Sequence, residues 1–129
     1  MSKDVMSGYI MRDDIILGEL HKHDINILEA MFNHYSSIKR VKGNFKGYTS
    51  HDIVTAIDEI LKTCDETMVN VLKLQVIDKP DNKVNRCKII STGLTDIEVS
   101  KILNIPIRRV ARLRNKALQI LAEKIEYVI

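Results

Sequence analysis

Between Asp24 and Val41, apolar residues fall at Ile25, Leu28, Met31, Phe32, Tyr35 and Ile38. Steps of three and four trace one face of a helix, and Asp24 is placed to cap its start. A shorter helix is expected before it, over about 13–21. Lys42-Gly43-Asn44-Phe45-Lys46-Gly47-Tyr48 then breaks the pattern, and its two glycines and asparagine predict a loop. Ser50 is the expected cap of a second long helix, with Ile53, Val54, Ile57, Ile60, Leu61 and Cys64 on one side. Met68, Val71, Leu72 and Gln75-Val76 continue at helical spacing, although the alternation across Val69-Asn70-Val71 also suits a strand. Asp78-Lys79-Pro80-Asp81-Asn82 predicts a stop and turn, because proline lacks a donor and restrains the residue before it. Val84 to Ile90 reads as one short helix closed by Ser91-Thr92-Gly93.

The next stretch is the most legible. Thr95 and Glu98 have the spacing of a capping box, in which hydroxyl and carboxylate satisfy amide groups at a helix start. Leu94 just ahead can staple onto the first turn, and Val99, Ile102 and Leu103 supply the expected apolar face. Ser100 is small where a second helix would cross closely. Asn104, which tolerates the left-handed conformation, is the expected end of this helix. Pro106 suits the first turn of another, expected over about 106–123. At 100° per residue, Arg108, Arg112, Asn115 and Gln119 share an arc of about 60°. Val110, Leu113, Ala117, Leu118 and Leu121 occupy the other side. Six or seven helices in an all-α fold are the expectation.

Charge sharpens this pattern. The formal net charge of the 129 residues is only +3, yet residues 81–124 carry ten Lys or Arg against four Asp or Glu. Between Glu98 and Glu123 stand Lys101, Arg108, Arg109, Arg112, Arg114 and Lys116, with no acidic residue. A solvated helix face usually intersperses glutamate for pairs one turn apart; a one-signed block is the footprint of a polyanion site. Guanidinium groups read guanine edges in two-pronged fashion and carboxamides read adenine. The expectation is therefore a helix-turn-helix that binds double-stranded DNA. Arg108, Arg112, Asn115 and Gln119 read bases, and Thr95, Lys101, Arg109 and Lys116 touch phosphates. Arg114 falls among the apolar residues on the wheel, so it must reach solvent or pair, for example with Glu98.

The run from Gly93 to Leu118 resembles region 4 of sigma-70-type bacterial factors, the part that reads the −35 promoter element. Agreement lies at Leu94-Thr95, Glu98-Val99-Ser100, Leu103, Ile105-Pro106, Val110 and Lys116-Ala117-Leu118, and Met68 to Leu74 is similar to the helix that precedes this motif. The connection from Leu74 to Gly93 is longer than in that family and contains Pro80. No aromatic-rich segment of the kind that melts the −10 element is present, so the chain is not a full sigma factor. Small phage and prophage late-gene regulators of the ArpU kind resemble it in size and layout. The resemblance implies a transcription regulator with residues 65–129 as the DNA-binding part and residues 1–64 as a helical dimerisation or partner-binding part. RNA polymerase and a second copy of the chain are the partners expected beside duplex DNA. An adaptor that grips polymerase without reading DNA, and a phage DNA-packaging subunit, are the alternatives.

Other chemistry finds little footing. His21-Lys22-His23, His34 and His51 lack the ligand number and spacing of a metal site. Scattered carboxylates have no nucleophile or base to work with, and there is no phosphate-cradling glycine loop or nucleophile elbow, so neither an enzyme nor a cofactor is expected. Cys64 and Cys87 stand far apart and read as reduced and structural. With no apolar run long enough to span a bilayer and no long apolar segment after Met1-Ser2-Lys3-Asp4, a cytoplasmic location is expected.

Overall fold

The carboxylate of Asp24 accepts the His21 backbone N–H at 3.0 Å, which sets the start of the first helix, α1 (Lys22–Asn33). Asp24 thus works from the first turn and not from the cap expected of it. A carboxylate there reaches back to an otherwise orphaned amide and faces the positive end of the helix dipole. The computed structural model describes residues 21–79, 81–84, 88–91 and 93–127; the helix expected over 13–21 falls outside them but for its last residue.

The single helix expected from Asp24 to Val41 is two, α1 and α2 (Tyr35–Arg40), parted at His34. Asp78 causes the break. Its N–H donates to the Phe32 carbonyl at 3.1 Å and its carboxylate accepts the Ser36 N–H at 2.8 Å. In an unbroken helix those two groups would bond each other. Asp78 is inserted between them, one of the recognised causes of a helix kink. It also accepts the Ser36 hydroxyl at 2.6 Å.

The expected loop at 42–48 holds a small antiparallel pair, β1 (Asn44–Phe45) and β2 (Tyr48–Thr49). Lys46 and Gly47 turn between them at φ of 54° and 89°, a left-handed pair that a two-residue hairpin requires and that glycine adopts without strain. Thr49, one residue before the expected cap, accepts the Asp52 N–H and starts α3 (Ser50–Thr63). Ser50 instead closes the hairpin base, its hydroxyl accepting the Gly43 N–H at 3.0 Å. Asp65 caps α4 (Glu66–Gln75), so the ambiguous segment around Val69 is helical.

The short helix expected over 84–90 is not formed where the structure describes it: Val84 ends β3 (Asp81–Val84), which pairs antiparallel with β4 (Lys88–Ser91), and residues 85–87 lie outside the described residues. Val84, Ile89 and Ile90 are β-branched, and such residues favour an extended backbone. The chain then enters α5 (Asp96–Leu103) and the 18-residue α6 (Ile107–Lys124). The fold is mainly α-helical, with six helices and two two-stranded sheets among the described residues.

Two cores meet on α6. Leu28, Met31 and Phe32 of α1, Ile53, Ile57 and Ile60 of α3, and Met68 and Leu72 of α4 close around Leu118 and Leu121. Val71, Val99 and Val110, one from each of α4, α5 and α6, form a smaller core edged by Leu74, Leu94, Leu103, Ile105 and Leu113. The larger cluster draws on both sides of the 64/65 boundary expected from sequence. The end of α6 is fastened to the first half: the Tyr127 hydroxyl donates to Asp24 at 2.7 Å, and its ring stacks on Tyr48 at 5.7 Å between centroids. No helix among the described residues is long and apolar enough to cross a membrane.

Candidate nucleic-acid interface

The entry into α5 takes the form its sequence predicts. Thr95 accepts the Glu98 N–H at 3.2 Å while Glu98 accepts the Thr95 N–H at 2.8 Å, a complete capping box. Asn104 adopts φ 56° and ψ 49° at the other end. Ser100 does more than provide room, since its hydroxyl donates to the Ile105 carbonyl at 2.5 Å and ties the turn to the helix before it. Pro106 is the cap of α6 and lies just outside its first turn. Three residues thus join two helices that pack directly on one another around Val99 and Val110, the short connection and direct packing that a helix-turn-helix requires.

Behind them the backbone closes tightly. The Leu94 N–H donates to the Leu74 carbonyl at 3.1 Å. A Cβ placed on Gly93 would lie 2.1 Å from the Gln75 carbonyl oxygen, so only glycine fits. Arg114 joins all three helices. It donates to Asp96 at 2.6 Å and to the Gln75 side-chain carbonyl at 2.8 Å, and Gln75 in turn donates to Asp96 at 2.5 Å and to the Leu94 carbonyl at 3.2 Å. Its expected partner Glu98 is engaged by Thr95, and Asp96 takes its place. Burial pushes the Asp96 carboxyl up, but the hydrogen bonds from Arg114 and Gln75 and the guanidinium charge outweigh it and hold the group below 3.8.

The proposed DNA contacts divide by exposure. Arg108 and Arg112 are exposed, as are Arg109, Lys116, Lys101 and Thr95; Asn115 is half-buried at the edge of the open arc. The Thr95 hydroxyl is already committed to the capping box. Gln119 differs from its stripe: it is half-buried, its amide faces Glu123 at 3.4 Å, and its carbonyl oxygen is buried with no partner among the described residues. Gln119 stands eleven residues beyond Arg108, about 16 Å along the axis. The open end of α6 is therefore its first half, while Ala117, Leu118, Leu121 and Ala122 bury the second. One departure from the expected faces stands out. Ile102, assigned to the apolar face of α5, is 59% exposed, and Ile97 and Ile107 are also open, at 55% and 49%. With only eight residues, α5 has one fully buried position, Val99, and cannot cover every apolar residue it carries.

The electrostatics of the α6 entrance are unfavourable for folding alone. Its first turn has no acidic residue and carries Arg108 and Arg109 instead. Two cations at the positive end of a helix dipole each cost about 0.3–1 kcal/mol at low salt. An anion bound there would reverse the sign. Among the described residues no group of three or more His, Cys, Asp or Glu could hold a metal ion. Cys64 is half-buried against the main core, and Cys87 lies outside the described residues. Comparison with family models, curated proteins and solved structures returns no match for the chain.

Proposed function

We propose that the chain is a sequence-specific double-stranded DNA-binding transcription regulator that docks the first half of α6 in the major groove. The observation that carries the reading is the exposed pair Arg108 and Arg112 on a helix whose opposite side is locked into two cores, with uncompensated positive charge at its N-terminal turn. Arg108, Arg112 and Asn115 are the base-reading groups; Arg109, Lys116 and Lys101 contact phosphates, with Thr95 beside them at the start of α5. Gln119 belongs to the far edge of the footprint. One helix-turn-helix buries only about 600–1,000 Å² of protein surface. A second copy of the chain, or contact with RNA polymerase, supplies the remaining affinity.

The test is selection of bound fragments from random duplex DNA, with and without RNA polymerase, followed by anisotropy titration of the winner. The expected result is an enriched motif whose binding is lost in the double variant Arg108→Ala, Arg112→Ala while helicity is unchanged. Binding that ignores both arginines would overturn it. The exposed Ile97 and Ile102 on α5 favour a second reading, an adaptor that grips polymerase without reading DNA. That reading predicts polymerase capture by the double variant and indifference of the wild type to duplex.

A further inference from the structure

We propose that Ile107 is a specificity-determining residue that reads the 5-methyl group of a thymine next to the base contacted by Arg108; this rests on the DNA-binding reading above. Ile107 is the first residue of α6 and is 49% exposed, although it lies on the side of the helix that is buried one turn later at Val110. It stands directly after the turn through Asn104 and Pro106, at the leading end of α6, where α5 has already ended at Leu103. A β-branched side chain held at a helix tip is stiff, so it offers a preformed apolar surface.

In helix-turn-helix proteins the N-terminal residues of the second helix approach base edges most closely. At that depth only one apolar group is presented by the major groove, the thymine methyl. Arg108 follows immediately with a two-pronged donor suited to guanine. The pair Ile107-Arg108 thus offers one apolar and one charged reader at the leading end of α6. The other open isoleucines, Ile97 and Ile102, lie on α5 and do not share this end of α6.

The experiment replaces each thymine of the selected site by deoxyuridine, which removes the methyl and keeps the hydrogen-bonding edge. Wild-type protein is expected to lose about fourfold in affinity at one position, the effect of withdrawing one buried methyl. Ile107→Ala is expected to be weaker on the thymine site by a similar factor and to be indifferent to deoxyuridine at that position. Circular dichroism of the variant checks that α6 is intact, and Ile107→Val should restore most of the discrimination. Equal binding of wild type to thymine and deoxyuridine everywhere, or methyl sensitivity that survives in Ile107→Ala, would overturn the role of Ile107 alone. No duplex binding by the wild type at all would overturn the DNA reading and this inference together.

Discussion

Arg114 donates to Asp96 at 2.6 Å across the meeting of the last two helices, and both side chains are mostly covered, at 22% and 31% exposure. The pair ties α6 to the start of α5, and Gln75 of α4 is bonded to both members. A guanidinium that looked misplaced on the helical wheel is the fastening of the helix-turn-helix to the rest of the fold. Arg114→Met should cost about 1–2 kcal/mol, since it leaves a half-buried carboxylate with one donor fewer. The folded-state pKa of Asp96 lies below 3.8, so its contribution is complete above the ordinary carboxylate range and is lost as pH falls through the depressed value. Thermal midpoints measured from pH 7 downwards should fall through that acid window in the wild type, and the decline should be shallower in Arg114→Met.

Asp78 offers a test of long-range capping. Its carboxylate satisfies the Ser36 N–H and hydroxyl, and it adopts φ 57°, a conformation that Asp and Asn tolerate better than Ala. Asp78→Ala should destabilise by about 1–2 kcal/mol from the lost cap and the backbone strain together. Asp78→Asn should recover much of it, because the carboxamide keeps an acceptor and the same backbone preference. Urea denaturation of both variants checks this; equal loss in each would mean that charge, and not the acceptor, holds the kink.

These two residues show where sequence reading reached and where it stopped. Features written in neighbouring positions were legible. Thr95 with Glu98, the left-handed Asn104, and the periodic cores of α3 and α6 all depend on residues within a turn or two of each other. Asp78 lies 42 positions from Ser36, and nothing local marks its insertion into a helix that otherwise looks continuous. Arg114 was legible as a group needing a partner but not as the partner of Asp96, because two carboxylates stand near the start of α5 and only the fold shows that Glu98 is spent on Thr95. The β3–β4 pair is illegible for another reason: the spacing of Val84, Ile89 and Ile90 suits a short helix and a strand alike, so periodicity alone does not separate them. On the candidate interface, the wheel grouped Gln119 with Arg108 by angle, whereas burial of the second half of α6 separates them by depth.

At Gly93 the segment leading into α5 lies directly against the Gln75 backbone at the end of α4. Gly93→Ala would force a methyl to within 2.1 Å of backbone, an overlap that no side-chain rotation can relieve. A destabilisation of about 2–3 kcal/mol is expected. The Leu94 to Leu74 bond beside it should open as well. Hydrogen exchange of the Leu94 amide reads this directly, and protection as high as in the wild type would show that the chain shifts elsewhere.

On the proposed DNA-binding reading, the charged residues of α6 should separate into two kinds by their response to salt and sequence. If about five phosphates are neutralised, the logarithm of the binding constant should fall with the logarithm of salt at a slope near −4 to −5. Lys116, exposed on the flank beside Arg109, is assigned to phosphate, so Lys116→Ala should weaken selected and random duplexes alike and make the slope shallower by about one. Arg112 stands at the centre of the exposed arc and is assigned to a base edge. Arg112→Ala should cost about 1–3 kcal/mol on the selected site and relax discrimination at one position, with a smaller effect on random DNA. Equal losses on both duplexes for both variants would mean that the helix holds DNA by charge alone, and the division of roles between Arg112 and Lys116 would have to be abandoned.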